Sequence, residues 1–211
     1  MTEYTMDNNW VYLAGKVNTC PAFSHEMYGE GFYSFYLSVP RLSEYVDILP
    51  VMISERLIAD IQLDVGLEIV VEGQFRSYNK FLDGSNRLVL TVFARDIGLK
   101  TEEVKNPNQI FLHGFVCKKP IYRTTPFKRE ISDLLIAVNR AYNKSDYIPT
   151  IAWGRNARFC QQLSVGDQLK IWGRIQSRTY QKKMPNGELV DKTAYEVSIS
   201  KMEKVRETGD P

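Results

Sequence analysis

Cysteine and histidine are scarce in this chain of 211 residues, which has three of the first (Cys20, Cys117, Cys160) and two of the second (His25, His113). The cysteines are odd in number and share no CxxC spacing, so neither a disulfide framework nor a zinc site is expected. Missing too is any apolar run of the roughly eighteen residues that a membrane span needs. The amino terminus, Met1 to Asp7, lacks the basic and apolar segments of a secretory leader. Carboxylates such as Asp146, Asp167 and Asp191 are scattered, with no paired motif for a metal, and no cysteine or histidine has a catalytic neighbour. The expectation is a cytoplasmic chain without membrane segment, metal or cofactor, and not an enzyme.

What the chain has is charge unevenly placed. The net value of +2 hides residues 1–105, with 9 Lys+Arg against 15 Asp+Glu (−6), and residues 106–211, with 18 against 10 (+8). Such an asymmetry points to a basic surface in the second half that meets a polyanion. A hydrophobic content of 44% supplies core material, and the length suits one large domain or two small ones.

An internal repeat favours two. Asn9-Trp-Val-Tyr-Leu-Ala-Gly15-Lys-Val17 returns 99 residues later as Asn108-Gln-Ile-Phe-Leu-His-Gly114-Phe-Val116. At that offset Val39-Pro-Arg41 matches Val138-Asn-Arg140, and Asp47-Ile-Leu-Pro50 matches Asp146-Tyr-Ile-Pro149. One residue later in register, Val65-Gly66 matches Val165-Gly166, and Gly73-Gln-Phe-Arg-Ser77 matches Gly173-Arg-Ile-Gln-Ser177. The polar, proline-bearing stretch Lys100 to Asn108 reads as the linker.

Within each repeat the apolar period is mostly two. Leu169, Ile171, Gly173 and Ile175 share one face of a strand, and Lys170, Trp172, Arg174, Gln176 and Arg178 the other. A helical patch lies between the third and fourth strands: Glu55 to Gln62 after Ser54 as N-cap, and Asn156 to Leu163 in the second repeat. Asp83-Gly84 and Pro185-Asn186-Gly187 mark hairpin tips, and Gly15 and Gly114 mark a bulge or tight bend in the first strands. The pattern predicts an all-β fold of two tandem five-stranded OB-type barrels, residues 1–100 and 106–205, each with one short helix between strands three and four. Other small barrels share this periodicity; one large sandwich fits less well, because the repeat and the linker coincide.

The second repeat combines flat and cationic side chains on the strands of the open face. Tyr147, Ile151 and Trp153 share parity, Tyr142 ends the second strand, Tyr180 begins the last hairpin, and Trp172 lies on the fourth strand. Around them fall Arg123, Arg140, Arg155, Arg158, Arg174, Arg178, Lys182 and Lys183. Unpaired bases stack on aromatic rings at about 1–3 kcal/mol each while cations follow the phosphates, with little regard to base identity. Any one of these aromatics could instead fill the core, and Lys182 and Lys183 could close over a strand or only keep a hairpin tip soluble. The first repeat serves as a control: Tyr142, Tyr147, Trp153 and Trp172 become Ser43, Ile48, Ser54 and Glu72, whereas core positions such as Leu112, Val116 and Ile171 stay apolar as Leu13, Val17 and Val71. The aromatics are therefore dispensable to the fold.

Asp146-Tyr-Ile-Pro-Thr-Ile-Ala-Trp-Gly-Arg155-Asn-Ala157, with Val165-Gly166-Asp167, Ile171-Trp-Gly-Arg-Ile-Gln-Ser-Arg178 and Tyr195-Glu-Val-Ser-Ile199, resembles the bacterial single-stranded DNA-binding protein family. The likeness covers residues 106–204 well and residues 8–98 through the internal repeat. It implies base stacking on Tyr142, Tyr147, Trp153 and Tyr180, phosphate contacts at Arg155 and Arg178, and a nucleoid-associated role in replication, recombination or repair. Because that family presents four OB-folds per assembly, a homodimer of this two-barrel chain is expected. The usual acidic, aromatic-tipped recruiting tail is not seen at Arg206 to Pro211. In this reading the first repeat assembles subunits or extends the path weakly. The competing reading is an interaction module akin to primosomal replication protein N, favoured by Tyr28, Phe32, Tyr33, Phe35 and Tyr45; single-stranded RNA as ligand stays open.

Overall fold

The computed structural model describes residues 8–82, 84–184 and 187–205. Asp83, Pro185 and Asn186, where hairpin tips are expected, and residues 1–7 and 206–211 lie outside them. Strands β1 (Asn9–Val17), β2 (Ala22–Met27), β3 (Glu30–Pro40), β4 (Val46–Ser54), β5 (Glu68–Leu82) and β6 (Ser85–Leu99) form one barrel. Strands β7 (Asn108–Val116), β8 (Ile121–Thr124), β9 (Glu130–Arg140), β10 (Lys144–Trp153), β11 (Gln168–Lys183) and β12 (Leu189–Lys204) form the second. In each, the first strand pairs with both the fifth and the third, and the fourth runs parallel to the sixth, which closes the OB-fold. Beyond the five expected strands, each barrel carries an edge strand, β2 or β8, hairpinned onto β3 or β9. These are exposed and lack apolar alternation, which is why the sequence pattern passes over them.

The helical patches are shorter than expected. A 3-10 turn covers Glu55–Ile58, with the Ser54 hydroxyl accepting from the Arg56 N–H as its cap. The second is α1, Arg155–Cys160, which buries Ala157 and Cys160 at the mouth of the barrel. Gly15 and Gly114 sit where the first strand swings toward the third, and a Cβ there would overlap the carbonyl oxygen of Ser38 or Ala137. The register shift falls instead at Gly73 and Gly173, whose Cβ positions overlap the Phe93 and Ser198 carbonyl oxygens. Past this bulge the ladder is carried on by a side chain. The Asn9 amide donates to the Phe75 carbonyl (2.8 Å) and accepts from its N–H (2.9 Å), and Asn108 does the same with Ile175 (2.7 and 2.9 Å).

The barrels are joined edge to edge. β1 and β7 run antiparallel with Trp10 opposite Phe111, so all twelve strands belong to one sheet. Two buried aspartates brace the seam crosswise. Asp47 of the first barrel accepts from the Ser177 N–H (2.8 Å) and hydroxyl (3.2 Å) of the second, while Arg41 grips it at 2.6 and 2.8 Å. Asp146 of the second accepts from the Ser77 N–H (2.7 Å), and the Ser77 hydroxyl accepts from the Tyr147 N–H (2.7 Å). Asp146 is less well served: Arg140 stands 3.4 Å away and its second oxygen has no hydrogen-bond partner. Burial pushes its carboxyl above the usual range.

Candidate nucleic-acid interface

Along β10, Ile148, Thr150 and Ala152 point into the barrel, which turns Tyr147, Pro149, Ile151 and Trp153 outward. Ile151 is nonetheless 5% exposed, because the rings and neighbouring strands cover it, whereas Tyr147 is 47% and Trp153 38% exposed. Trp153 stands opposite Ile131 of β9, and its indole N–H donates to the Ser198 hydroxyl of β12 at 3.3 Å, which lays the ring across the strands. The other side of the face is β11, where Arg174 lies opposite Ser198 and Gln176 opposite Glu196.

Together these strands form a groove floored by Ile131 and Ile151, walled by Trp153, and lined by Arg123, Arg129, Arg174 and Arg178. Arg123 is held by both oxygens of Asp133 (2.7 and 3.3 Å), and Arg178 reaches Glu196, which also lines the groove, only at 3.9 Å, so the arginines of the lining outnumber its carboxylates. Arg174 lies 3.7 Å from Asp47 with one terminal nitrogen lacking a hydrogen-bond partner. Its pKa is lowered by burial and by nearby Arg41. The Arg178 guanidinium lies 5.9 Å from the Tyr180 ring centroid, placing a flat ring and a cation together at the exit toward the last hairpin.

Other expected residues are placed differently. Tyr142 is 94% exposed in the turn after β9 and lines a cleft with Gln74 and Arg76 of the first barrel. Arg140 belongs to that same cleft, beside Asp146. Trp172 lies on the outer face of the joined sheet, 5.2 Å from Phe111 and 4.6 Å from the Lys201 ammonium, because β11 coils sharply at Gly173 before Arg174 reaches the groove. Arg158 pairs with Glu130 at 3.5 Å, and Arg155 opens α1 just beyond Trp153. Lys182 and Lys183 extend along the exposed end of β11. Arg129, and Arg41 of the first barrel, line the groove without having been singled out in the sequence for it, and Tyr45, expected to favour a protein contact, lines it too. The repeat itself held the hint, since Arg41 matches Arg140.

The model of the single-strand binding protein family matches residues 107–205. The match takes in the whole second barrel, which is just under half of the chain. The single-stranded DNA-binding protein of Clostridium tetani is 32% identical over 83 residues, which are 36% of this chain and 57% of that one. The chain thus spans little more than half the length of this relative. Among solved structures, the wild-type single-stranded DNA-binding protein of Thermus aquaticus superposes with a TM-score of 0.75 at 21% identity, covering 96% of this chain and 95% of that one. It shares the two-barrel fold. The N-terminal domain of the PriB protein of Thermoanaerobacter tencongensis, described as dimeric, is 52% identical over 46% of this chain and all of its own, with a TM-score of 0.40. Among the described residues no three His, Cys, Asp or Glu stand together as a metal site, and no helix is long and apolar enough to cross a membrane.

Proposed function

We propose that this chain binds single-stranded DNA without strong sequence preference, in replication, recombination or repair, through the outer face of the second barrel. The observation that carries the reading is that solvent-facing Trp153, with exposed Tyr147 on the same strand face, shares a groove with Arg174 and Arg178 of β11 and Arg123 and Arg129 from the other side, a combination that serves no core. Bases stack on Trp153, Tyr147 and Tyr180; phosphates follow Arg123, Arg129, Arg174 and Arg178, with Arg155, Arg158, Lys182 and Lys183 at the ends of the path. Binding, not catalysis, is what this surface does. The test is a titration with oligo-dT, duplex DNA and oligo-U in parallel, read by tryptophan fluorescence at low salt. Quenching by oligo-dT that Trp153→Ala and Tyr147→Ala each weaken supports the reading; unchanged emission with wild-type protein refutes it, and tighter binding of oligo-U reassigns the ligand to RNA.

The chain further acts as a homodimer in this reading. Trp172 suits a second copy better than a base: it faces away from the groove, in a row with Phe111 and Trp10, and Trp10 stacks on Tyr12 at 6.2 Å. Light scattering of wild-type protein and of Trp10→Glu checks this, with a dimer expected for the first and a monomer for the second.

A further inference from the structure

Position-by-position comparison strips the first barrel of its stacking residues, but strand pairing restores them. On the second barrel Trp153 ends β10 and reaches across to Ser198 of β12. In the same parallel register of the first barrel Met52 stands beside Phe93, as Ile151 stands beside Ser198. Ser54 therefore occupies the place of Trp153 and Phe93 that of Ser198: the ring has crossed to the neighbouring strand. The next strand shows the same exchange twice. Alternate outward residues Arg174, Gln176, Arg178 and Tyr180 of β11 become Gln74, Arg76, Tyr78 and Lys80 of β5, each neighbouring pair reversed. Tyr147 on β10 gives way to Ile48 on β4, and an exposed ring appears beside it on β3 as Tyr36, opposite Pro50.

Of these side chains Met52, Arg76, Tyr78, Lys80 and Phe93 line one groove, and Tyr36 lies on the same barrel outside that lining. The Arg76 guanidinium lies over the Phe93 ring at 4.1 Å, and Phe93 is 5.8 Å from Phe32. Arg76 stays protonated at neutral pH, although burial and nearby Arg140 bring it down to about 10. Tyr78 and Lys80 line the groove further along, and Arg140 enters it from the second barrel, as Arg41 enters the other groove from the first. Among the described lining residues none is acidic, although this half of the chain carries the excess of carboxylates. An acidic domain that keeps its acids off one aromatic, cationic face presents that face to a polyanion.

We infer that the outer face of the first barrel is a second surface for an unpaired DNA strand, with Phe93, Tyr78 and Tyr36 stacking bases and Arg76, Lys80 and Arg140 holding phosphates, so that one strand engages both barrels of a chain. The inference rests on the proposed function of the second barrel. The exchanged order of rings and cations keeps the same chemistry on the face, since base stacking requires only a flat surface next to a phosphate-binding cation.

The test uses the full chain, fluorescein-labelled dT oligomers of about 10 and about 30 nucleotides, near the span of one and of two OB faces, and photo-crosslinking with bromodeoxyuridine. The double variant Tyr78→Ser, Phe93→Ser places at 93 the residue that Ser198 shows to fit there, and its urea midpoint is compared with that of wild type to verify folding. It is expected to halve the number of nucleotides covered per chain and to weaken the long oligomer at least tenfold, while the short one changes no more than twofold. A second variant, Trp153→Ala with Tyr147→Ala, is expected to keep crosslinks to the peptide that carries Phe93. If the first variant matches wild type in covered length and long-oligomer affinity, and the second binds nothing, the first barrel is not a site and the second-barrel reading stands. If wild-type protein binds neither oligomer, the proposed function itself fails.

Discussion

Asp47 and Asp146 occupy matched places in the two barrels, yet their removal should cost different amounts. Asp47→Ala takes the acceptor from the Ser177 N–H and hydroxyl and from two guanidinium nitrogens of Arg41, all within 3.2 Å. Breaking a buried ion pair from one side costs about 3–5 kcal/mol. Arg41 is 24% exposed and can recover part of its hydration, so the lower end, about 3 kcal/mol, applies. Asp146→Ala removes one good acceptor, for the Ser77 N–H, and an arginine contact stretched to 3.4 Å. One orphaned buried N–H costs about 1–3 kcal/mol, from which relief of the buried charge subtracts, leaving about 1–2 kcal/mol. Urea unfolding of the full chain, followed by far-ultraviolet circular dichroism and tryptophan emission, measures both. Equal losses, or a larger loss for Asp146→Ala, would refute the claim that the Arg41 clamp makes the difference.

Asp146 also makes a pH prediction. Its folded-state pKa is raised above the unfolded value near 3.9, so its contribution is fully present below that value and is lost as pH rises through the folded pKa; Asp146→Asn should therefore gain on wild type in urea midpoints as pH rises above that unfolded value. Gly173→Ala drives a Cβ into the Ser198 carbonyl oxygen, and Gly73→Ala into that of Phe93; each should destabilise the chain by about 2 kcal/mol in chemical denaturation. For single strands the slope of log K against log salt is about −0.7 per neutralised phosphate, so Arg129→Ala and Arg178→Ala should each flatten it by about 0.7 in oligo-dT titrations.

The barrel plan was legible because an alternating strand and a repeated glycine are local signals: Leu169, Ile171 and Ile175 do point inward, although the bulge expected at Gly15 and Gly114 falls at Gly73 and Gly173, which the sequence showed only as matched positions of the repeat. Edge strands β2 and β8 escaped because their residues are exposed, with Tyr122 alone half-buried in β8, and carry no apolar period. Of the groove, the residues on continuous strands were readable from parity. The place of Arg41 and Tyr45 in it was not, nor was the placing of Tyr142 in a cleft with the first barrel, because turns after β3 and β9 lie at the seam and serve the opposite barrel, a relation set by tertiary packing. Nor could a comparison at fixed offset find Phe93 in the place of Trp153, since it aligns positions along the chain and not neighbours across a sheet.

The pairing of β1 with β7 has a consequence for each half taken singly. Residues Asn9–Leu13 and Asn108–Leu112 satisfy one another's backbone groups. Cut apart, either half would carry a bare row of amides and carbonyls flanked by Trp10 or Phe111, which is the template on which strands add and chains clump. Joining the two copies in tandem supplies each with a permanent, correctly registered neighbour at a local concentration that the linker, not the dilution of the protein, sets. Selection could then alter one copy without having to keep it self-complementary.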